Sequence, residues 1–145
     1  MKANEKEIQK RLENNMKVDK VIGFIAEEFN AFYNRTPEFK ELFSSCFVGL
    51  TSNKPLNLTA HLTLSRELKN GETEPLFNIM RPFTYELIEK VHELFPYIKE
   101  YNYCFYSYGG FQFSQGKIKG QLDVVLFEID REPKTKKSEK RWEGK

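Results

Sequence analysis

Apolar residues recur at helical spacing in two stretches of the chain. In residues 18–34 they fall within roughly one third of the circumference of a helix turning about 100° per residue. They are Val18, Val21, Ile22, Ile25, Phe29 and Phe32. A second stripe, in residues 84–95, consists of Leu87, Ile88, Val91, Leu94 and Phe95. The pattern predicts a helix in each stretch, packed on the core through this stripe, with Thr84 as the cap of the second.

Two shorter segments near the N-terminus also favour helix. Residues 4–16 are rich in helix formers, but Ile8, Leu12 and Met16 form only a thin apolar stripe, so residues 1–16 could be a mobile helical arm. Thr36-Pro37-Glu38 has the order of a cap, a proline at the first helical position and an acidic first turn. This order predicts a short third helix at 37–44.

The pattern then changes to alternation, which is typical of strands. Apolar Leu58, Ala60, Leu62 and Leu64 interleave with polar residues up to Ser65. Asn70-Gly71 is a strong signal for a type I′ hairpin turn and predicts a second strand at 72–80. Pro75 would place that strand at a sheet edge or split it.

Three further strands are expected at 101–108, 111–115 and about 119–129, joined by glycine-containing turns. The element order is then ααα-ββ-α-βββ. We therefore predict an α+β fold, in which N-terminal helices and one central helix pack on a curved antiparallel sheet of about five strands. The length of 145 residues favours a single domain, placed at 1–130, followed by a C-terminal tail at 131–145.

The tail differs in charge from the rest of the chain. The whole sequence has 23 Lys and Arg against 21 Asp and Glu, a net charge of +2. Residues 131–145 carry a net +4, leaving −2 for residues 1–130. One function hypothesis is therefore nucleic-acid binding by the tail together with exposed aromatic rings. Its residues would be Lys134, Lys136, Lys137, Lys140 and Arg141. The simpler interpretation is a solvated terminus, although Trp142 within it suggests docking on the body or on a partner.

Hydropathy and cysteine content bear on the compartment and on metals. No apolar run approaches the length that spans a bilayer, and the first two dozen residues are too charged for a secretory signal. We therefore expect a cytoplasmic protein in which Cys46 and Cys104 are buried, reduced thiols. Two distant cysteines and two histidines give no zinc spacing, so neither a metal nor a cofactor is predicted.

His61-Leu62-Thr63 places a histidine and a threonine on one face of the predicted strand. The string resembles one of the two His-x-Thr motifs of the two-histidine phosphoesterases, in which one imidazole acts as base and the other as acid. The resemblance implies a phosphoesterase-like enzyme or a small-ligand pocket using His61 and Thr63. The second motif is missing, because the other histidine, His92, is followed by Glu93-Leu94 in a predicted helix. An ordinary solvent-facing strand histidine is the alternative.

Aromatic residues are concentrated between Phe95 and Phe113. Since strand residues alternate between faces, both faces of the predicted 101–108 strand carry rings. Exposed tyrosine is a common anchor for protein partners, although cross-strand packing also explains the pattern. No coherent acid–base, nucleophile or metal set accompanies these rings, which favours binding over catalysis. The leading hypothesis is a binding module for a protein partner that uses Tyr101, Tyr103, Tyr106, Tyr108 and Phe111.

Overall fold

Two helices precede the first strand, and the central helix follows the third. The computed structural model describes residues 5–69, 71–106, 117–118 and 120–134. The helices are α1 Glu5–Arg35, α2 Pro37–Leu42, α3 Thr73–Leu94 and a 3₁₀ helix Pro96–Glu100. The strands are β1 Phe43–Asn53, β2 Leu56–Leu64, β3 Leu68–Lys69, β4 Tyr101–Phe105, β5 Lys117–Ile118 and β6 Gln121–Pro133. The α+β class with an antiparallel sheet is confirmed.

The main sheet has four strands in the order β1-β2-β6-β4, and every neighbouring pair is antiparallel. β3 and β5 form a separate two-stranded sheet. The predicted sheet of about five strands and its order therefore need correction. The first two predicted helices are one continuous α1, β1 precedes the predicted 58–65 strand, and the predicted 111–115 strand lies outside the described residues.

The predicted strand at 72–80 is the first part of α3. Leu76, Met80, Phe83 and Leu87 are all buried, and their spacing of three and four residues continues through Pro82. Pro75 lies in the first turn, where no intrahelical N–H bond is required. Thr84 is therefore not a cap but a buried residue inside the helix, whose hydroxyl donates to the Met80 carbonyl at 3.0 Å.

The six apolar residues predicted for the first core helix are all buried, so that expectation is confirmed. α1 contacts β1, α2, α3 and β6. Its N-terminal turns still carry exposed Ile8, Leu12 and Met16. α2 follows Thr36, whose hydroxyl donates to the Phe32 carbonyl at 2.5 Å and so closes the end of α1 rather than capping α2.

The register assigns each side chain of the sheet to one of two faces. The inner face packs on the helices and includes Leu58, Ala60 and Leu62 of β2, which are all buried. The outer face points away from them, and its central row is Phe47, His61 and Asp123, taken from β1, β2 and β6. Between Leu58 and Thr59 a bulge shifts the register with β6.

Candidate functional site

The candidate site is the outer face of the four-stranded sheet. Three rows of facing residues cross it, set by the pairing of β1, β2, β6 and β4. The rows are Ser45, Thr63 and Gln121; Phe47, His61 and Asp123; and Asn57, Glu128 and Cys104. Gly49, Thr51, Thr59, Val125 and Tyr106 also lie on this face. The carboxylates of Asp123 and Glu128 give the three rows negative charge.

His61 and Asp123 form a hydrogen-bonded pair at the centre of this face. The Nδ1 atom of His61 lies 2.7 Å from Oδ1 of Asp123, and the Nε2 amide of Gln121 donates to the same oxygen at 2.6 Å. With the Nδ1 proton directed at the carboxylate, Nε2 carries the lone pair of the neutral ring. Nε2 has no hydrogen-bond partner among the described residues, so it can accept a bond from a bound group.

Asp123 is held in its charged form by these neighbours. Burial by itself raises the pKa of the Asp123 carboxyl, but hydrogen bonds from Gln121 and His61 and the charge of His61 outweigh it. The pKa therefore lies below its ordinary value.

We expect the substitution His61→Ala to raise the pKa of Asp123, since it removes two of the three lowering interactions. Because the folded pKa is depressed, Asp123 stabilises the native state above the unfolded-state pKa and loses that contribution as pH falls through the folded value. A ¹³C NMR titration of the carboxyl carbon measures the change. Thr63→Ala is the matched control on the same face and should leave this pKa in place. An unchanged midpoint in His61→Ala would contradict the pairing.

Phe47 lies flat beside the histidine. Its ring is stacked on that of His61, with centroids 6.0 Å apart and an interplanar angle of 23°. A Cβ atom on Gly49 would lie only 2.9 Å from Cε1 of Phe47, so the absence of a side chain at Gly49 lets the ring lie over the strand. Phe47 is nevertheless 68% exposed. The sheet thus presents a positioned aromatic ring to the exterior.

A second polar cluster surrounds Glu128. Tyr106 donates its hydroxyl to Oε1 of Glu128 at 2.8 Å, and the Asn57 side-chain amide donates to the same oxygen at 3.2 Å. Thr59, which is 3% exposed, donates to Oδ1 of Asn57 at 2.7 Å. Burial and the bond to Glu128 raise the pKa of Tyr106, so its hydroxyl stays protonated at neutral pH. The polar groups of this cluster are hydrogen-bonded to one another, so their side chains are held in place at this side of the face.

The five predicted partner-binding aromatics occupy different places. Tyr101 is 3% exposed, in the core, and Tyr103 is half-buried on the inner face, packed on Phe127. Tyr106 lies on the outer face. Tyr108 and Phe111 lie outside the described residues. Phe47 is an exposed aromatic residue on this face that sequence reasoning missed. Ser45 and Gly49, two residues before and after it, are polar or small, and this pattern indicates a strand face that is not buried in the core.

The two histidines lie on opposite sides of the sheet. Nε2 of His92 lies 2.6 Å from the hydroxyl of Tyr103, whose ring packs toward the helices, whereas His61 lies on the outer face. A pair of imidazoles on one phosphate is therefore not assembled. Thr63 does share the face of His61, but its hydroxyl accepts a bond from Ser45 at 2.9 Å.

The cysteines differ from reactive thiols. Both are free and half-buried, and burial raises the pKa of Cys46 to about 11. For Cys104, burial and the charge of Glu128 raise the pKa, and a hydrogen bond with Tyr106 offsets this in part. Both are therefore protonated at neutral pH and are weak nucleophiles.

Among the tail residues proposed for nucleic acid, Lys134 is described: its side chain is exposed, and its backbone N–H donates to the Glu100 carbonyl at 2.7 Å. Lys136, Lys137, Lys140 and Arg141 lie outside the described residues.

Within the described ranges, no helix has the length and apolar character needed to cross a membrane. The same ranges hold no group of three or more His, Cys, Asp or Glu side chains arranged to bind a metal ion.

The chain was compared with protein-family models, with curated proteins and with solved structures, and none of the three comparisons found a match.

Proposed function

We propose that this protein is a non-enzymatic binding module that recognises a protein partner through the outer face of its sheet. The observation that carries the proposal is the exposed ring of Phe47, held flat between Gly49 and His61. A large apolar ring that is already positioned loses little conformational freedom on binding. Rings of this kind are typical anchors of protein interfaces.

The surroundings of Phe47 indicate the chemistry of the partner. The three rows of the outer face carry the carboxylates of Asp123 and Glu128, with hydroxyl and amide groups beside them. A complementary segment would place an apolar side chain on Phe47 and a lysine or arginine near Asp123. Tyr106 supports the same surface, with its hydroxyl fixed by Glu128.

Parallel affinity purification with the native chain and with Phe47→Ala tests this proposal. A partner that uses the ring should bind the variant about tenfold more weakly or worse, because a central aromatic anchor is lost. Tyr85→Ala is the matched control, since Tyr85 is 60% exposed but lies on α3, away from the sheet face. A protein retained by Tyr85→Ala and lost by Phe47→Ala supports the proposal. Equal recovery of every captured protein with both variants would overturn it.

A second candidate is a small-ligand site at His61, and the 2.7 Å bond to Asp123 is the observation that favours it. A carboxylate that orients one ring nitrogen leaves the other as an acceptor or general base. The substrate class implied by the resemblance is a phosphate ester. Addition of inorganic phosphate, followed by ¹H–¹⁵N NMR of the His61 ring, tests it. A saturable shift that Asp123→Asn weakens would favour this candidate over the binding module, and an unchanged spectrum would exclude it for phosphate.

A further inference from the structure

β1 is a long edge strand without the charges or prolines that commonly protect such edges, and its pairing with β2 is regular from Ser45 to Leu50, between two register shifts. It spans eleven residues from Phe43 to Asn53 and pairs, among the described residues, with β2 alone. It contains no charged residue and no proline. Natural edge strands are commonly guarded by charges, prolines or short length, since their free backbone groups can pair with another chain.

Exposure along this strand agrees with an open edge. Phe47, on the outer face, is 68% exposed, and Leu50, on the inner face, is 46% exposed. Ser45 and Thr51 are also exposed, whereas Val48, between them, is half-buried. Between Ser45 and Leu50 the strand therefore offers apolar side chains on both sides of a backbone edge that pairs with no other described strand.

The sequence of β1 is self-complementary when the strand runs antiparallel to a copy of itself about Val48. Within the regular run Ser45–Leu50, each residue then faces one on the same side of the sheet. Cys46 faces Leu50 and Phe47 faces Gly49 of the second copy, and Ser45 faces Thr51 at the end of the run. Apolar inner residues meet apolar inner residues, and an aromatic ring faces a glycine, a pairing that fills the space glycine leaves.

We propose that two copies of this chain pair antiparallel along β1, with the two-fold axis at Val48, and join their four-stranded sheets into one of eight strands. The two-fold keeps both helical layers on one side of the joined sheet and both outer faces on the other. The absence of charge on β1 favours this arrangement, because a charged residue near the axis would lie close to the same residue of the second copy and would be repelled by it. The Phe47 rings of the two copies become diagonal neighbours across the junction, within reach of each other.

The size of this interface sets the expected affinity. The strand contributes at most eleven residues on each side, about half or less of the 20–30 that a standard protein interface uses on each partner. Association should therefore be weak and concentration-dependent, in the micromolar to millimolar range. The inference does not rest on the proposed partner, since it involves the edge of the sheet and a second copy of this chain alone.

A cysteine at the axis tests the register directly. Val48→Cys, in a chain that also carries Cys46→Ala and Cys104→Ala, should form a disulfide-linked dimer under mild oxidation. Facing Cβ atoms in an antiparallel pair are about 4.5–5.5 Å apart, within or near the reach of a disulfide. Thr63→Cys in the same background is the matched control, because Thr63 is exposed on β2, one strand in from the edge. Equal dimer yield from the two variants would overturn the proposal.

A pair of charge variants tests the same register without a covalent bond and keeps Val48 in place. Ser45→Lys with Thr51→Glu puts opposite charges face to face twice in the dimer, whereas Ser45→Lys with Thr51→Lys puts like charges there. Sedimentation equilibrium over a concentration series should show at least a tenfold tighter dimer for the first variant than for the second, with the native chain between them. Circular dichroism verifies that both variants are folded. Monomers at all concentrations for the native chain and the opposite-charge variant would refute the inference.

Discussion

Replacing Phe29 by alanine is expected to lower the free energy of unfolding by about 3–5 kcal/mol, the largest effect that we predict. Phe29 is fully buried in α1, and its ring centroid lies 5.7 Å from that of Phe32 and 5.8 Å from that of Phe83. Its removal would leave a cavity where α1 meets α3. Since small domains have a total stability of only about 5–15 kcal/mol, the loss is a large share of it. Urea titration followed by circular dichroism measures the change.

Phe47→Ala is the matched control, because it removes the same atoms from an exposed position. A substitution at such a surface site usually changes stability by less than about 0.5 kcal/mol. A similar loss for both variants would mean that the assigned core is wrong.

Asn14→Ala is expected to have the second largest effect, because Asn14 joins α1 to the far end of the sheet. Its amide donates to the Arg131 carbonyl at 2.6 Å, and its Oδ1 accepts a bond from the buried hydroxyl of Tyr101. The substitution removes the partner of both groups, at about 1–3 kcal/mol for each group left unsatisfied. The first turns of α1 should also exchange their amide hydrogens faster, which hydrogen-exchange mass spectrometry measures.

The neighbouring Asn15→Ala is the control, since Asn15 accepts a single bond, from the Arg131 side chain at 3.3 Å. Adding Tyr101→Phe to Asn14→Ala should restore part of the stability, because no orphaned hydroxyl then remains. Equal stability of the Asn14 and Asn15 variants would contradict this role of Asn14.

The sequence predicts well those elements whose buried residues follow one period. All six predicted core residues between Val18 and Phe32 are buried, because a single helical stripe faces the sheet and α3. Leu58, Ala60 and Leu62 likewise follow the alternation of a strand that is apolar on one side. In both cases the local pattern and the tertiary packing require the same residues.

The missed elements are those in which packing overrides the local signal. In β1, Cys46, Phe47 and Val48 are consecutive apolar residues, because Phe47 is apolar on the exposed face, and this breaks the alternation. At Asn70-Gly71, turn chemistry suggests a hairpin. The helical spacing of Leu76 and Met80 decides the outcome, because it buries both side chains in α3.

The candidate site depends on a register that local patterns do not contain. His61 and Asp123 are far apart in the chain and meet because β2 lies next to β6 in a defined register. Tyr101 and Tyr103 point inward because of how β4 pairs with β6, so the aromatic-rich segment supplies core as well as surface. A sequence alone indicates which side chains share a face of one strand. It does not indicate which strands are neighbours.

The bulge in β6 limits how the length of this chain can change. Val125 faces Thr59 on the outer side, while Phe127 faces Leu58 on the inner side, so Leu126 is one residue more than β2 needs there. Deleting Leu126 would leave Val125 and Phe127 as consecutive residues opposite Thr59 and Leu58, with every side chain still on its present face. Deleting a residue from a regular part of β6 would instead turn one side of the strand to the wrong face. Natural variants with the same sheet should therefore lose a residue of β6 at the bulge more readily than on either side of it.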